Sequence, residues 1–129
     1  MSGLAMAFDF GTTKIGVAVG QKITGTASPV AVVKARDGIP QWLEIDRLVE
    51  EWQPKVLVVG LPINMDGSES DMSKAAARFS RRLHGRYGIR IELMDERLST
   101  FEARKFEAPD QLDSIAAKLI LETWLADSL

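Results

Sequence analysis

The sequence contains no cysteine and only one histidine, His84. Disulfides, thiolate zinc sites and cysteine nucleophiles are thereby excluded, and a lone histidine cannot build a histidine metal cluster. Any metal must be held by oxygen ligands, which favours magnesium or manganese. No apolar run approaches the roughly 18 residues of a membrane span, and no basic, cleavable signal opens the sequence. A cytoplasmic protein with no membrane partner is expected. Neither charge is in great surplus: 16 basic residues face 18 acidic ones, a net charge of −2. Bulk attraction does not hold this chain to nucleic acid, so any such binding must come from local sites. Repeats, linkers and low-complexity stretches are absent as well.

What is present suits a single domain. The chain has 129 residues, of which 46 % are apolar, enough for a real core. Its organising stretch is LAMAFDFGTTKIGVAVG, residues 4–20, which reads as a strand, a tight Gly-Thr-Thr turn and a second strand. Side chains alternate along a strand, so Leu4, Met6, Phe8 and Phe10 share one face while Ala5, Ala7 and Asp9 share the other. A carboxylate in so apolar a strand costs several kcal/mol, on the order of a buried charge, unless paired, metal-bound or open to water. The small neighbours of Asp9 leave room for a phosphate or a metal. Its alternative role is to cap the turn by accepting backbone hydrogen bonds.

Strands over 14–20 and 27–35 continue an antiparallel meander. RDGIP breaks the pattern, and Pro40 suits the first turn of a helix over 40–52 with Trp42, Ile45, Leu48, Val49 and Trp52 on one face. VLVVGL (56–61) is a short apolar run bounded by proline and glycine, the mark of a buried central strand. Residues 62–73 are polar and loop-like, and the Asp66-Gly67 pair signals a turn. A second helix follows, with Met72, Ala76, Phe79 and Leu83 on one face and Arg78, Arg81, Arg82, His84 and Arg86 in its second half. These cations suit a helix C-terminus and a solvated face better than a phosphate patch. A fifth strand spans 89–94, a short helix about 98–106, and a last helix about 111–126. That last helix has Asp110 as a plausible N-cap and Leu112, Ile115, Ala116, Leu119, Ile120 and Trp124 on one face. The expectation is an α/β domain with a five-stranded mixed sheet and helices on both faces.

Three acidic positions stand at the open end of such a sheet: Asp9, the Asp95-Glu96 pair directly after the fifth strand, and Asp113 at the start of the last helix. Functional groups in α/β sheets gather at strand ends. Carboxylates brought together raise one another's pKa unless a cation neutralises them, which points to a hard divalent metal. Plainer roles exist: Asp113 as a first-turn residue favoured by the helix dipole, and Asp95, Glu96 and Arg97 as an exposed turn.

The blocks DFGTTKIGVAVGQ, EWQPKVLVVGLPINMDG, DERLST followed by EAR, and DSIAAKLILETWL together resemble the YqgF (RuvX) family. They occur in order and cover nearly the whole chain. The resemblance implies an RNase H-like fold related to RuvC-type Holliday-junction resolvases, and a nuclease that matures the 5′ end of pre-16S ribosomal RNA. It also implies an acidic triad of Asp9, Glu96 and Asp113 holding Mg2+ or Mn2+, Asp9 bridging, for two-metal phosphodiester hydrolysis. Asp95 is a possible ligand in place of Glu96, since consecutive strand residues face opposite ways. Lys14, Arg97, Ser99 and Thr100, close in sequence to these groups, are candidates for holding phosphates. The implied partners are structured RNA such as pre-16S rRNA or branched DNA, with ribosomal particles as a further possibility.

One departure bears on the grip on a nucleic-acid backbone, and so on substrate preference or activity, rather than on the fold. Family members usually carry a longer, glycine- and lysine-containing segment before the final aspartate, where this chain has KFEAPDQLDS with a single lysine. The competing classes are a non-catalytic nucleic-acid or ribosome/transcription-associated binding module on the same scaffold, and an ATP-binding protein suggested by DFGTT. The latter needs two such domains to enclose its nucleotide.

Overall fold

Tight turns join the first strands, while helical connections bring the later ones back in parallel. The computed structural model describes residues 3–62, 66, 70–95 and 112–127. In chain order the elements are β1 (Leu4–Asp9), β2 (Lys14–Gln21), β3 (Thr26–Arg36), β4 (Ile39–Pro40), α1 (Trp42–Trp52), β5 (Val56–Leu61), α2 (Asp71–Tyr87), β6 (Arg90–Asp95) and α3 (Leu112–Asp127). They form one sheet in the order β4-β3-β2-β1-β5-β6. The first four strands pair antiparallel, and β5 and β6 run parallel to β1.

Side-chain size decides which helix covers which face. Met6, Phe8, Ile15, Val17 and Val19 point toward α1 and α2, where Ile45, Ala76, Phe79 and Leu83 complete a buried cluster. Phe79 is its hub, with ring centroids 5.6 Å from Phe8, 5.2 Å from Phe10 and 6.0 Å from Trp42. The opposite face carries Ala5, Ala7, Ala18 and Ala27 against Ala117, Ile120, Leu121 and Leu125 of α3. The small side chains beside Asp9 therefore admit a packed helix, and at Ala7 the space is filled by protein rather than left for a ligand.

Among the described residues the sheet has six strands where five were expected. The extra one, β4, follows Asp37 and Gly38, both with positive φ (52° and 80°). Left-handed backbone at both central residues is what a two-residue type I′ hairpin turn requires. Pro40 thus lies in a strand, opposite Ala35, and α1 begins only at Trp42. The helix α2 starts at Asp71, inside the stretch expected to be loop. Ser70 caps it, accepting from the Ser73 amide (3.0 Å) and donating to the Pro62 carbonyl (3.0 Å). The fully buried side of α3 is Ala116, Ala117, Ile120, Leu121 and Leu125. It is turned from the expected stripe, leaving Ile115, Leu119 and Trp124 half-buried. The helix expected over 98–106 and the Asp110 cap lie outside the described residues.

Candidate active site

Asp9 is the last residue of β1, half-buried and paired across the sheet with Gly16 of β2. On its other side β1 runs parallel to β5, Phe8 standing opposite Val59. Parity gives Asp9 the face of Ala5 and Ala7, the face that α3 covers. The turn after it is tightly held. A Cβ at Gly11 would come 2.5 Å from the Lys14 carbonyl oxygen. The Thr12 carbonyl accepts from the Gly38 amide (2.9 Å) and the Thr13 carbonyl from the Ala35 amide (2.8 Å). The hairpin of β3 and β4 therefore braces the turn that follows the carboxylate.

The end of β6 lies on the same side of the sheet. Gly60 pairs with Met94 and Leu61 with Asp95, so the C-terminal ends of β1, β5 and β6 align. Met94 is buried in the α3-facing cluster, which gives the half-buried Asp95 the opposite parity. Glu96, Arg97, Ser99 and Thr100 lie outside the described residues.

Helix α3 approaches this end with its N-terminus. Ser114 and Ile115 line a surface cavity of about 420 Å³ with Pro29, Val30, Ala31 and Val32 of β3. Val32 pairs with Gly16, which pairs with Asp9. The first turn of α3 thus lies over the rows that end in Asp9, while its last turn reaches the beginning of β1. Asp113, described by its backbone alone, is the second residue of that helix, four before the fully buried Ala117.

Lys14 is exposed at the start of β2, beyond the end of β1, and shares the parity of Gly16. Directly across from it stands Lys34 of β3, also exposed. Sequence reasoning missed Lys34, reading it only as a strand residue; the period of two along that strand was the available signal, but the partner appears only with the register. Like charges set opposite each other in antiparallel strands repel, and a phosphate between them relieves that repulsion.

The cations of α2 divide. Arg78 and Arg82 line a cavity of about 200 Å³ with Phe10, Asp37 and Gly38 on the α1/α2 side. Arg86 belongs to the scaffold: its Nε and Nη2 donate to the Asp46 carboxylate at 2.7 and 2.8 Å, and the Tyr87 hydroxyl donates to Asp46 Oδ1 at 2.6 Å. These bonds, Arg86 first and Tyr87 second, hold the Asp46 carboxyl at about 2, below the usual 3.8. The Tyr87 hydroxyl is pushed up by burial and by its bond to Asp46. For Arg86 the helix-end reading is the right one, with a specific partner on α1.

A mixed sheet flanked by helices on both faces, with Asp9 and Asp95 at the ends of the parallel strands β1 and β6, is the arrangement of an RNase H-like domain. The fold is similar to that of Thermus thermophilus RuvC in complex with a Holliday junction substrate, with a TM-score of 0.59 and 14% identity over 98% of this chain and 95% of that one. It is likewise similar to the fowlpox virus Holliday junction resolvase (TM-score 0.56, 15% identity, 98% and 99% covered). The model of the family described as RuvX, Holliday junction resolvase, matches residues 3–127, and the chain belongs to that family. Two relatives carry the name "Putative pre-16S rRNA nuclease". One, from Histophilus somni (strain 2336), is 51% identical over 96% of this chain and 94% of its own length. The other, from Azotobacter vinelandii, is 50% identical over 98% of this chain and 97% of its own length.

Proposed function

We propose that this chain is a metal-dependent endonuclease acting in the 5′-end processing of pre-16S rRNA, with Asp9, Glu96 and Asp113 as its carboxylate set. The observation that carries the reading is the convergence at one end of the sheet. The end of β1, which bears Asp9, the end of β6, which Glu96 follows in the sequence, and the first turn of α3, which bears Asp113, all belong to that end. Glu96 is preferred to Asp95 because the family resemblance implies it and because Asp95 has the parity opposite to Met94, away from the α3-facing cluster. Donors of this set are carboxylate oxygens only, which fits Mg2+ or Mn2+. A pair of such cations supplies Lewis acidity: a lowered pKa for the attacking water and charge stabilisation at the leaving 3′ oxygen. The chain's own part is to supply the carboxylates and to steer the backbone with Lys14 and Lys34. Arg97, Ser99 and Thr100 complete the phosphate contacts, and the partner is structured RNA or branched DNA, in the cytoplasm.

The test is cleavage of a labelled rRNA precursor and, in parallel, of a four-way DNA junction, with Mg2+ or Mn2+. Cleavage of one substrate identifies its class. The Asp9→Asn and Glu96→Gln proteins are expected to lose at least about 100-fold, beyond the 10–100-fold typical of losing an outer-shell partner, while Asp95→Asn retains most activity. Binding without cleavage in the unmutated protein establishes a non-catalytic module instead. Cleavage that survives Asp9→Asn removes the carboxylate mechanism.

A further inference from the structure

We propose that the cleft at the pole of the sheet opposite Asp9, where Lys22, Lys55 and Arg90 converge around the ring of Trp124, binds a nucleotide unit, phosphate and base together. Each cation comes from a different segment: Lys22 from the turn between β2 and β3, Lys55 from the residue before β5, and Arg90 from the first position of β6. With Trp124 of α3 they line a cavity of about 190 Å³ floored by Ala5 and Val56. Its described lining contains no carboxylate. Glu92 offsets part of one charge, at 2.9 Å from Arg90 Nε.

Two of these groups are held in place. The Lys22 Nζ lies 5.7 Å from the Trp124 ring centroid, within cation–π range. The stem of Lys55 crosses the chain at Gly3, where an added Cβ would come 1.9 Å from Lys55 Cγ. The Lys55 amide donates to the Leu4 carbonyl at 2.8 Å. Three converging cations, only one of them paired with a carboxylate among the described residues, raise the local potential, which an anion relieves. An aromatic ring beside the cations supplies a stacking platform that tolerates any base. Phosphate beside a flat, apolar base is the chemistry that satisfies both.

Ala5 is four residues before Asp9, about 13 Å along an extended strand. A nucleic-acid strand that reaches the carboxylate end is thus long enough to engage this pole as well, and that source of the nucleotide rests on the proposed function. A free nucleotide shares the chemistry and does not.

The experiment follows the Trp124 indole N–H by NMR in EDTA, assigned with Trp124→Phe. Adenosine 5′-monophosphate is titrated in one arm and a short single-stranded RNA in the other. The Trp124 resonance is expected to move while those of Trp42 and Trp52 stay. The Lys22→Glu/Lys55→Glu protein, checked for folding by its own amide spectrum, should bind at least about ten-fold more weakly. In the RNA arm the slope of log K against log salt should flatten by about 0.7 for each lost contact. Movement with RNA alone identifies a strand site, and movement with the monophosphate alone a free-nucleotide site. A Trp124 signal still in both arms, or moving equally in the charge-reversed protein, overturns the proposal. Metal-dependent cleavage measured on the same proteins separates the readings: cleavage with a silent Trp124 sinks only this pocket, and a responsive Trp124 without cleavage sinks only the nuclease.

Discussion

Single side chains in this protein do different work according to who meets them, and Asp46 shows it best. It is one carboxylate among many on the surface of the chain, yet it accepts three hydrogen bonds from two neighbouring residues of α2. Arg86 in turn sits over Trp42, its guanidinium carbon 5.1 Å from the ring centroid. The cluster ties the start of α1 to the end of α2 across the aromatic hub. Because the folded carboxyl is held at about 2, below its usual 3.8, its contribution is fully present above pH ~4 and fades as pH falls toward 2. Asp46→Asn removes that contribution at neutral pH and should lower the unfolding midpoint by a few degrees, roughly the effect of one partly exposed charged network. Urea unfolding of both proteins from pH 6 to pH 2 checks it. The gap between them should shrink below pH 4, and a gap that holds constant to pH 2 shows that the carboxylate's charge is not what stabilises.

Elements were read from the sequence to different depths. The central strand β5 was legible to the residue, Val56–Leu61, because a fully buried strand is a continuous apolar run with hard stops. The hairpin of β3 and β4 was hidden, although Asp37-Gly38 is the dipeptide a two-residue turn prefers; Pro40 beside it suggested a helix start, and β4 is too short to show alternation. The face of α3 was legible in part: Ala116 and Ile120 are buried as expected, while Ile115, Leu119 and Trp124, which look more apolar than Ala117, are only half-buried. The sheet under α3 presents alanines, and Ile120, Leu121 and Leu125 of the helix fill the layer above them beside Ala116 and Ala117. That filled layer predicts an asymmetry. Ala7→Leu, on the face packed against α3, should destabilise by about 1–3 kcal/mol through overpacking and reduce nuclease activity further by displacing the helix that carries Asp113. Phe79→Ala, on the other face, should cost about 3–5 kcal/mol yet leave the activity of the folded fraction nearer normal. Urea midpoints and cleavage rates measured side by side decide it. Equal specific activity in the two folded proteins would detach α3 from the site.

The whole molecule explains why the candidate site was only partly legible. Asp9, Asp95 and Asp113 could be picked out singly, each at an element's edge, but nothing in the linear sequence says which edges lie at one end of the sheet. Coincidence comes from sheet order: β1 lies between β2 and β5, with β6 next to β5, and α3 crosses back with its first turn over the rows of Asp9. Lys34 became visible for the same reason, since only the β2–β3 register sets it against Lys14. The carboxylate set proposed above would carry a cost for the whole fold. Carboxylates gathered on rigid elements repel one another, and unfolding relieves the repulsion. A divalent cation that binds the folded chain and not the unfolded one reverses the balance: at ten times its dissociation constant it adds about 1.4 kcal/mol, or about 5 °C for a domain of this length. In EDTA, Asp9→Asn should therefore melt at or above the unmutated protein, since one repelling charge is gone. In Mn2+ the order should invert, the unmutated protein rising by several degrees and the variant hardly at all. Thermal unfolding followed by circular dichroism in both buffers is sufficient. A rise of equal size in the two proteins would place the cation elsewhere and leave Asp9 a structural residue of its turn.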